Sequence, residues 1–483
     1  MERSIAQGHP AADHDPAPDE PLLDRAAPWI GLGLVLLMLA IYVVSNPNRL
    51  NTYNHFVWQA SAWLEGEAAI RYPVYPGDGL AASNDYFQDV LPVVDRDEDT
   101  VGRALLPFPP LPAVVLLPFV AAFGLATNAQ LIASLLGALV VGIAFWVLGR
   151  LPVRPSVRLG TTVFFALGTV FWYASMLGQT WYLAHVVAVG LTLLAVGIAL
   201  HADPSALEAE GGESHRRVMP GAGLRGGLRA SFAIDGTQLL AGLLLGLAAT
   251  SRLTVAFGFP FLVLVGGGGS WLRRGISAGI GIAIPVGGLL LYNLATSGHL
   301  FHPGYEYLYE QEALAYPVMF PYLDYRLDWA IEDPRYIPQN LALMLFGTPE
   351  IMPPCDPVGA ARSTWFDVAC PVLRPRADGM SLLLTSPAFL LALPALRSYG
   401  RSRLVAGAGV AIGAIALVNL MHFSQGWVQF GYRFSNDFVP FALPLVALGI
   451  ERLGGLRALV VVLVAVSIAV NLWGNIWALT LGW

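Results

Sequence analysis

The chain has 483 residues, of which 55% are hydrophobic and only 12% are charged, and its formal net charge is −6. An ordinary soluble domain carries roughly 25% charged residues, so the composition excludes that class. Nothing in the charge pattern indicates binding to nucleic acid. Several apolar runs reach the ~18 residues needed to cross the hydrocarbon of a bilayer. The sequence therefore predicts an all-α polytopic membrane protein.

The N-terminal segment is expected to differ from the rest of the chain. Residues 1–27 are rich in Pro, Ala and Asp and have no apolar period, which predicts a disordered cytoplasmic tail. The tail is acidic and no small-residue cleavage site follows the apolar run, so it does not resemble a signal peptide. Residues 28–483 are expected to form a single transmembrane domain.

The predicted topology depends on residues 105–124. Five prolines within residues 107–118 favour a broken surface helix over a spanning one. With that segment at the surface, every short Arg-rich turn falls on the cytoplasmic side, as the positive-inside rule prefers. About eleven transmembrane helices are then predicted, near residues 28–45, 129–149, 159–176, 181–201, 237–251, 254–271, 275–296, 380–396, 404–423, 436–450 and 458–477.

This topology predicts a multi-pass protein of the cell membrane with its N-terminus inside and its C-terminus outside. Two long outer-face loops, residues 46–128 and 297–379, carry juxtamembrane helices and most of the acids. The linker 202–236 is cytoplasmic. Cys355 and Cys370 lie in the second outer loop, an oxidising setting, and we expect them to form a disulfide that stabilises the fold by about 3 kcal/mol.

The first outer loop contains the candidate proton acceptors. Asn54, His55 and Gln59 lie at the outer end of the first span. Asp85 and Asp89 are four residues apart and would share one face of a helix. Two simpler interpretations stay open: His55 as an interfacial anchor among aromatic residues, and the two aspartates as surface or capping acids.

Two arginines are the candidate anion ligands. Arg252 and Arg433 lie at membrane boundaries between apolar spans, where an arginine costs a few kcal/mol unless it snorkels or meets an anion. A guanidinium binds phosphate through two parallel hydrogen bonds. Tyr432 lies beside Arg433, and Asp437 follows four residues later, either orienting the arginine or simply pairing with it.

Common metal and nucleophile motifs are absent from the sequence. It contains no His-Glu-x-x-His, no Cys-x-x-Cys, no Gly-x-Ser-x-Gly and no phosphate-binding loop. No metal ligands can therefore be named, and a requirement for a divalent metal stays open.

Taken together, these segments resemble the membrane glycosyltransferases of the C-type fold. One span is followed by a long outer loop with an aromatic-amphipathic helix at residues 55–66, and residues 107–112 read PFPPLP before an apolar juxtamembrane segment. Residues 292–305 and the GYRF sequence at residues 431–434 also resemble segments of bacterial members. The resemblance covers nearly the whole chain after residue 28, although each motif is short.

The resemblance implies transfer of a sugar from a polyprenyl-phosphate donor to a hydroxyl of a glycan, lipid or protein acceptor, with inversion. A carboxylate would take the acceptor proton while cationic groups or a metal stabilise the leaving phosphate. The implied base is Asp85, Asp89 or His55. Arg252 and Arg433 are the implied phosphate ligands, and the supporting residues would be Asn54, Gln59, Tyr432 and Asp437.

The chain departs from that family at one place. The family usually has an acid just after the first span, where this sequence has Asn51, Asn54 and His55. Two other functions therefore stay open as alternatives. A polymerase or ligase of lipid-linked glycans can use Arg and His without a carboxylate base. A lipid or glycan transporter would be favoured by charges buried on the spans themselves.

Overall fold

The computed structural model describes residues 20–47, 53–72, 89–93, 102–207, 233–315, 329–351, 371–426 and 428–483. Most of these residues are helical. In chain order the α-helices are α1 (Glu20–Ser45), α2 (His55–Leu64), α3 (Leu111–Phe123), α4 (Ala129–Leu148), α5 (Pro155–Leu167), α6 (Phe171–Leu177), α7 (Thr180–Ala202), α8 (Gly236–Ala249), α9 (Phe259–Leu264), α10 (Trp271–Ser297), α11 (Gly304–Ala315), α12 (Ile337–Phe346), α13 (Leu382–Thr385), α14 (Leu393–Leu396), α15 (Arg403–Met421), α16 (Ser435–Arg452) and α17 (Ala458–Leu481).

The described residues also form five short strands. They are β1 (Ile70–Tyr72), β2 (Leu91–Val93), β3 (Gly102–Leu105), β4 (Glu350–Ile351) and β5 (Leu373–Arg374). The central strand β3 pairs antiparallel with both β1 and β2, in a register that puts Leu91 opposite Leu105. Because Asp89 is two residues before β2, this small sheet fixes the position of that part of the first outer loop.

The prediction of a helical protein is confirmed, and several of its helices could cross a membrane. Among the described residues, six helices are long and apolar enough to cross a membrane: α1, α4, α7, α10, α15 and α17. A seventh span results if α5 and α6 are counted as one bent pair. Eleven such helices are therefore not found by length and composition.

The other predicted spans differ from regular membrane helices. Residues 237–251 correspond to α8, which has 14 residues. Residues 254–271 and 380–396 contain 3₁₀ segments, Leu253–Gly258 and Pro387–Ala392, next to short helices. Helix α16 has 18 residues but carries Asp437, Glu451 and Arg452. These segments are shorter, broken or more charged than the uninterrupted spans that hydropathy predicts.

The predicted span 159–176 is bent by 53° between α5 and α6. The bend follows Gly168, where the Thr169 hydroxyl donates to Phe165 O at 2.7 Å and accepts from Phe171 N at 3.2 Å. A threonine that bonds the backbone on both sides competes with the helical ladder. Local chemistry therefore explains why a single apolar run forms two helices.

The Arg-rich turns meet at one end of the bundle. Arg154 forms an ion pair with Glu451 at 2.7 Å, and Arg403 forms one with Asp203 at 2.7 Å. Arg452 donates to Pro394 O at 2.9 Å. These contacts join the turn before α5, the turn after α7, helix α14, the start of α15 and the end of α16.

Both ends of α3 lie at the opposite end of the bundle. Leu111 N donates to Thr250 O at 3.1 Å, which ties the start of α3 to the end of α8. The chain after α3 enters α4, whose first turn packs around Gly178, two residues before α7. This arrangement agrees with the expectation that residues 105–124 do not cross the bundle.

Two of the predictions concern residues at or beyond the limits of the described chain. Helix α1 begins at Glu20, so residues 20–27 are helical although the sequence predicts a disordered tail there, and residues 1–19 lie outside the described residues. Pro21 suits the first helical turn, where its missing N–H has no intrahelical partner to lose. Cys355, Cys370, Asp85 and most of the linker 202–236 lie outside the described residues, and the predicted disulfide stays a prediction.

Candidate functional site

Charged and aromatic side chains gather at the end of the bundle that lacks the Arg-rich turns. The start of α7, the end of α8, the end of α15 and the start of α16 meet there, together with the segment before β2. The central group is the buried carboxylate of Asp437, which lies in the first turn of α16. The positive end of the helix dipole favours an acid at that position.

Asp437 accepts hydrogen bonds from two neighbouring segments and lies within ion-pair distance of a third. Arg252 donates from Nη2 to Oδ2 at 2.9 Å and from Nε to Oδ1 at 3.2 Å. Thr254 Oγ1 donates to Oδ2 at 2.8 Å, and Asn419 Nδ2 donates to Oδ2 at 3.3 Å. His185 Nδ1 lies 3.1 Å from Oδ1. The carboxylate therefore fixes the guanidinium of Arg252 and joins α7, α15 and α16.

The expectation that Asp437 orients or neutralises Arg433 is wrong for the described structure. The partner of Asp437 is Arg252, which comes from a distant part of the chain. The spacing rule fails because Arg433 precedes α16 in a tight turn, in which Asn436 N donates to Arg433 O at 3.1 Å and Asp437 N donates to Phe434 O at 3.1 Å. Residues 433 and 437 therefore do not share an α-helical face.

Arg433 instead lies among aromatic rings. Its guanidinium carbon is 5.9 Å from the ring centre of Tyr182 and 5.4 Å from that of Phe434. The guanidinium carbon of Arg252 lies 5.1 Å from the same Phe434 ring. Within the described chain, no carboxylate lies at ion-pair distance from Arg433, and its buried Nε has no hydrogen-bond partner. Two guanidinium groups thus lie near one ring, and in the described chain a carboxylate forms an ion pair with only one of them, Arg252.

Asp89 is the predicted acid that the structure brings into this cluster. Its Oδ2 accepts a hydrogen bond from Trp181 Nε1 at 3.0 Å. Burial raises the pKa of Asp89 to about 6, against the opposite effects of the Trp181 hydrogen bond and the Arg433 charge. Asp89 precedes β2 and has φ +63°, so it does not lie on the helical face expected for Asp85 and Asp89.

Tyr305 lies beside the same charges. It is near the start of α11, within the GYEY sequence that opens that helix. Burial raises the pKa of Tyr305 to about 12, with Arg252 lowering it and Asp89 raising it. The phenol therefore stays protonated at neutral pH and faces both the acid and the arginine.

His55 is a buried anchor at the start of α2. Its Nδ1 lies 2.9 Å from Thr180 Oγ1, and its ring centre is 6.0 Å from that of Trp181. These contacts fit the anchoring interpretation. Catalysis by His55 stays a hypothesis.

The predicted supporting residues occupy different places. Gln59 Nε2 donates to Tyr292 Oη at 3.1 Å, which joins α2 to α10. Asn54 precedes α2, and its carbonyl accepts from Val57 N at 2.8 Å. Tyr432 is buried, with its ring centre 6.2 Å from that of Phe434. Of these three, only Tyr432 adjoins the arginine pair.

Sequence analysis missed several members of the cluster, of which His185 is the clearest. His185 is a single imidazole in the apolar sequence of α7, and ionisable residues within spans are by default functional candidates. Asn419 near the end of α15 gives a similar signal. Trp181 gives none, because a tryptophan at a span end is ordinarily part of the aromatic belt.

The described residues contain no group of three or more His, Cys, Asp or Glu side chains placed to hold a metal ion. The polar groups that converge on the site include guanidinium, carboxylate, imidazole, phenol and indole N–H. Such a set binds anions and transfers protons.

No protein-family model matches the sequence, and the searches of curated proteins and of solved structures also find no match.

Asp437→Ala is expected to destabilise the protein by about 3 kcal/mol, because it leaves the largely buried Arg252 without its counter-charge. Arg252→Ala/Asp437→Ala should be less destabilised than the sum of the single variants. Thermal unfolding in detergent would measure this coupling.

The matched control is the Arg154–Glu451 pair, whose side chains are 39% and 26% exposed and whose coupling energy should stay below about 1 kcal/mol. Additive effects at Arg252 and Asp437 would contradict the assigned ion pair.

Proposed function

We propose that the protein is a membrane glycosyltransferase. It would move a sugar from a polyprenyl-phosphate donor to a hydroxyl acceptor at the outer face of the membrane, with inversion. The observation that carries the proposal is the convergence of Asp89, Arg252 and Arg433 on one site. A proton acceptor beside two phosphate ligands is the set of groups that such a transfer needs.

The arginine pair supports binding of a lipid phosphate. A sugar phosphodiester carries one negative charge, and the monoester that leaves carries up to two. Groups that bind the second charge better than the first stabilise the transition state. Arg252 is held in place by Asp437, while Arg433 has no carboxylate at ion-pair distance in the described chain. The charges of Arg252 and Asp437 offset each other, so Arg433 is the cation available to pair with the leaving phosphate.

The proton follows a separate route. The acceptor hydroxyl forms a bond to the anomeric carbon as the bond from that carbon to the phosphate oxygen breaks. The hydroxyl proton passes to the carboxylate of Asp89. A base whose pKa is about 6 is mostly ionised at neutral pH and still binds a proton readily, which suits general-base catalysis.

An apolar groove beside the site supports a lipid-linked donor. It has a volume of about 240 Å³ and lies between α3, α8 and α10, with Trp63, Leu111, Leu247, Leu289 and Tyr292 among its lining residues. The groove reaches Thr250, two residues before Arg252. A chain lying in this groove would therefore bring its phosphate towards the arginine pair, since apolar surfaces pack together in preference to polar ones.

The proposal includes eleven crossings, with the broken segments around α9 and α13–α14 counted as spans and the arginine end inside. Single cysteines in a cysteine-free background should therefore be labelled from opposite sides of the membrane at positions 154 and 350. Position 154 should react only after permeabilisation, and position 350 should react in intact cells. Labelling of both positions from the same side would rule out this orientation.

The activity is tested by supplying purified protein with a panel of polyprenyl-phosphate sugars and candidate acceptors. Release of the carrier phosphate, together with a new glycoside, is the expected result. Hydrolysis of the donor without glycoside formation, or no reaction with any donor that binds, would contradict the proposal.

A further inference from the structure

Three described residues other than glycine adopt a left-handed backbone conformation. They are Tyr53 at φ +51°, Asp89 at φ +63° and Val428 at φ +51°. A positive φ is unfavourable for side chains with a Cβ, especially β-branched ones, and such strain persists only where surrounding contacts enforce it. The three residues come from three separate segments of the chain, yet all lie at the candidate site.

Three successive residues at the start of α7 hold these strained positions. Thr180 donates to Tyr53 O from its backbone N at 3.0 Å and from Oγ1 at 2.5 Å. Tyr182 Oη donates to Val428 O at 2.9 Å. Between them, Trp181 Nε1 donates to Asp89 Oδ2 at 3.0 Å. One helical turn therefore contacts all three segments.

The contacts around Trp181 leave its indole little freedom. Its ring centre lies 5.2 Å from that of Tyr53 and 6.5 Å from that of Phe108. The ring is thus packed from two sides while its N–H reaches the carboxylate. Strand β2 fixes the chain immediately after Asp89. The acid is held by the sheet through its backbone and by Trp181 through its side chain.

We propose that Trp181 is a positioning residue for Asp89: its indole N–H fixes one carboxylate oxygen and stabilises the ionised form, leaving the other oxygen to accept the proton. The inference rests on the proposed function, in which Asp89 is the base. A donor to a carboxylate favours the charged form, so it acts on both geometry and proton affinity. Among the described residues, the other titratable groups that interact electrostatically with Asp89 are the Arg433 guanidinium and the Tyr305 phenol. Neither of them changes its protonation near pH 6.

The test removes one N–H and keeps an aromatic ring. In Trp181→Phe, the midpoint for ionisation of Asp89 should rise by about one pH unit. Infrared titration measures it from the protonated-carboxyl band, assigned by its loss in Asp89→Asn. The acidic limb of transfer activity should move by the same amount, and raising the pH should restore much of the activity.

The matched control is Trp172→Phe, because Trp172 Nε1 donates to Ser45 Oγ at 3.0 Å, away from Asp89. It should leave the midpoint unchanged. If Trp181→Phe does not fold, benzothienylalanine at position 181 keeps the bicyclic ring without its N–H. An unchanged midpoint in either 181 variant, or an equal shift in Trp172→Phe, would overturn the proposal.

The infrared measurement of the midpoint for Asp89 ionisation does not require catalytic turnover. A wild-type protein without transferase activity would therefore refute the proposed function alone, and the midpoint would still decide whether Trp181 acts on Asp89. A uniform loss of activity at every pH with no shift of the midpoint would assign Trp181 a purely structural role.

Discussion

Asp89→Asn is expected to lower the transfer rate by about 10²- to 10⁴-fold, the usual contribution of a general base. Asparagine has nearly the same shape and can still accept the Trp181 N–H, so the fold and the affinity for donor should stay within a few-fold of wild type. What it lacks is a carboxylate that takes the acceptor proton. Turnover and donor binding measured on the same preparation separate these two effects.

The assignment of Asp89 as the base also predicts the direction in which activity changes with pH. Because burial raises the pKa of Asp89 to about 6, the ionised fraction grows as the pH rises through that value. Wild-type kcat/KM should therefore fall about tenfold for each pH unit below 6, as expected for a single essential base. The residual activity of Asp89→Asn should lack this limb.

Asp333→Asn is the matched control for the acid. Its carboxylate accepts a bond from Arg335, which lowers the pKa of Asp333 to about 2, so it stays ionised throughout the range of the experiment. Its replacement should leave both rate and pH profile unchanged. An Asp89→Asn protein that turns over at the wild-type rate would contradict the assigned role. It would also favour a ligase or polymerase that needs no carboxylate, or His55 as the next candidate.

Arg433→Ala is expected to weaken donor binding by about 10- to 100-fold, the magnitude of losing charge-assisted hydrogen bonds to phosphate. Arg433→Lys should fall between this variant and the wild type, because it keeps the charge but loses the planar pair of donors. The loss of thermal stability should be smaller than in Asp437→Ala, since no carboxylate in the described chain lies at ion-pair distance from Arg433. Equilibrium binding of a non-hydrolysable donor analogue is the measurement.

Arg335→Ala is the arginine control. Arg335 lies between α11 and α12, forms an ion pair with Asp333, and packs its guanidinium carbon 4.4 Å from the ring centre of Trp329. Its loss removes one positive charge away from the candidate site and should not change donor affinity. Unchanged affinity in a stable Arg433→Ala protein would remove Arg433 from the site.

The sequence predicts the membrane class well because long apolar runs have one physical explanation. It predicts the number of spans less well. Hydropathy measures length and apolarity, and α8 is 14 residues long, while Leu253–Gly258 and Pro387–Ala392 are 3₁₀ segments. Such segments are accommodated where neighbouring protein satisfies their backbone, which a single sequence does not reveal.

The candidate site was predictable in its residue types and less so in its pairing. An arginine at a membrane boundary is costly unless it meets an anion, so the sequence alone indicates both Arg252 and Arg433 as candidate anion ligands. The partner of Asp437 could not be predicted, because the spacing rule assumes a continuous helix and the chain turns sharply before α16. Arg252 reaches Asp437 only through tertiary packing across 185 positions.

The direct test of the central claim compares two ligands that differ by one group. Polyprenyl phosphate and the corresponding polyprenol share the same apolar chain, so only the phosphate reports on the arginine pair. We expect wild-type protein to bind polyprenyl phosphate at least about tenfold more tightly than polyprenol. Arg433→Ala should remove most of this difference in affinity, while Asp89→Asn should keep it. Equal affinity of the wild type for the two ligands would contradict a phosphate site between Arg252 and Arg433.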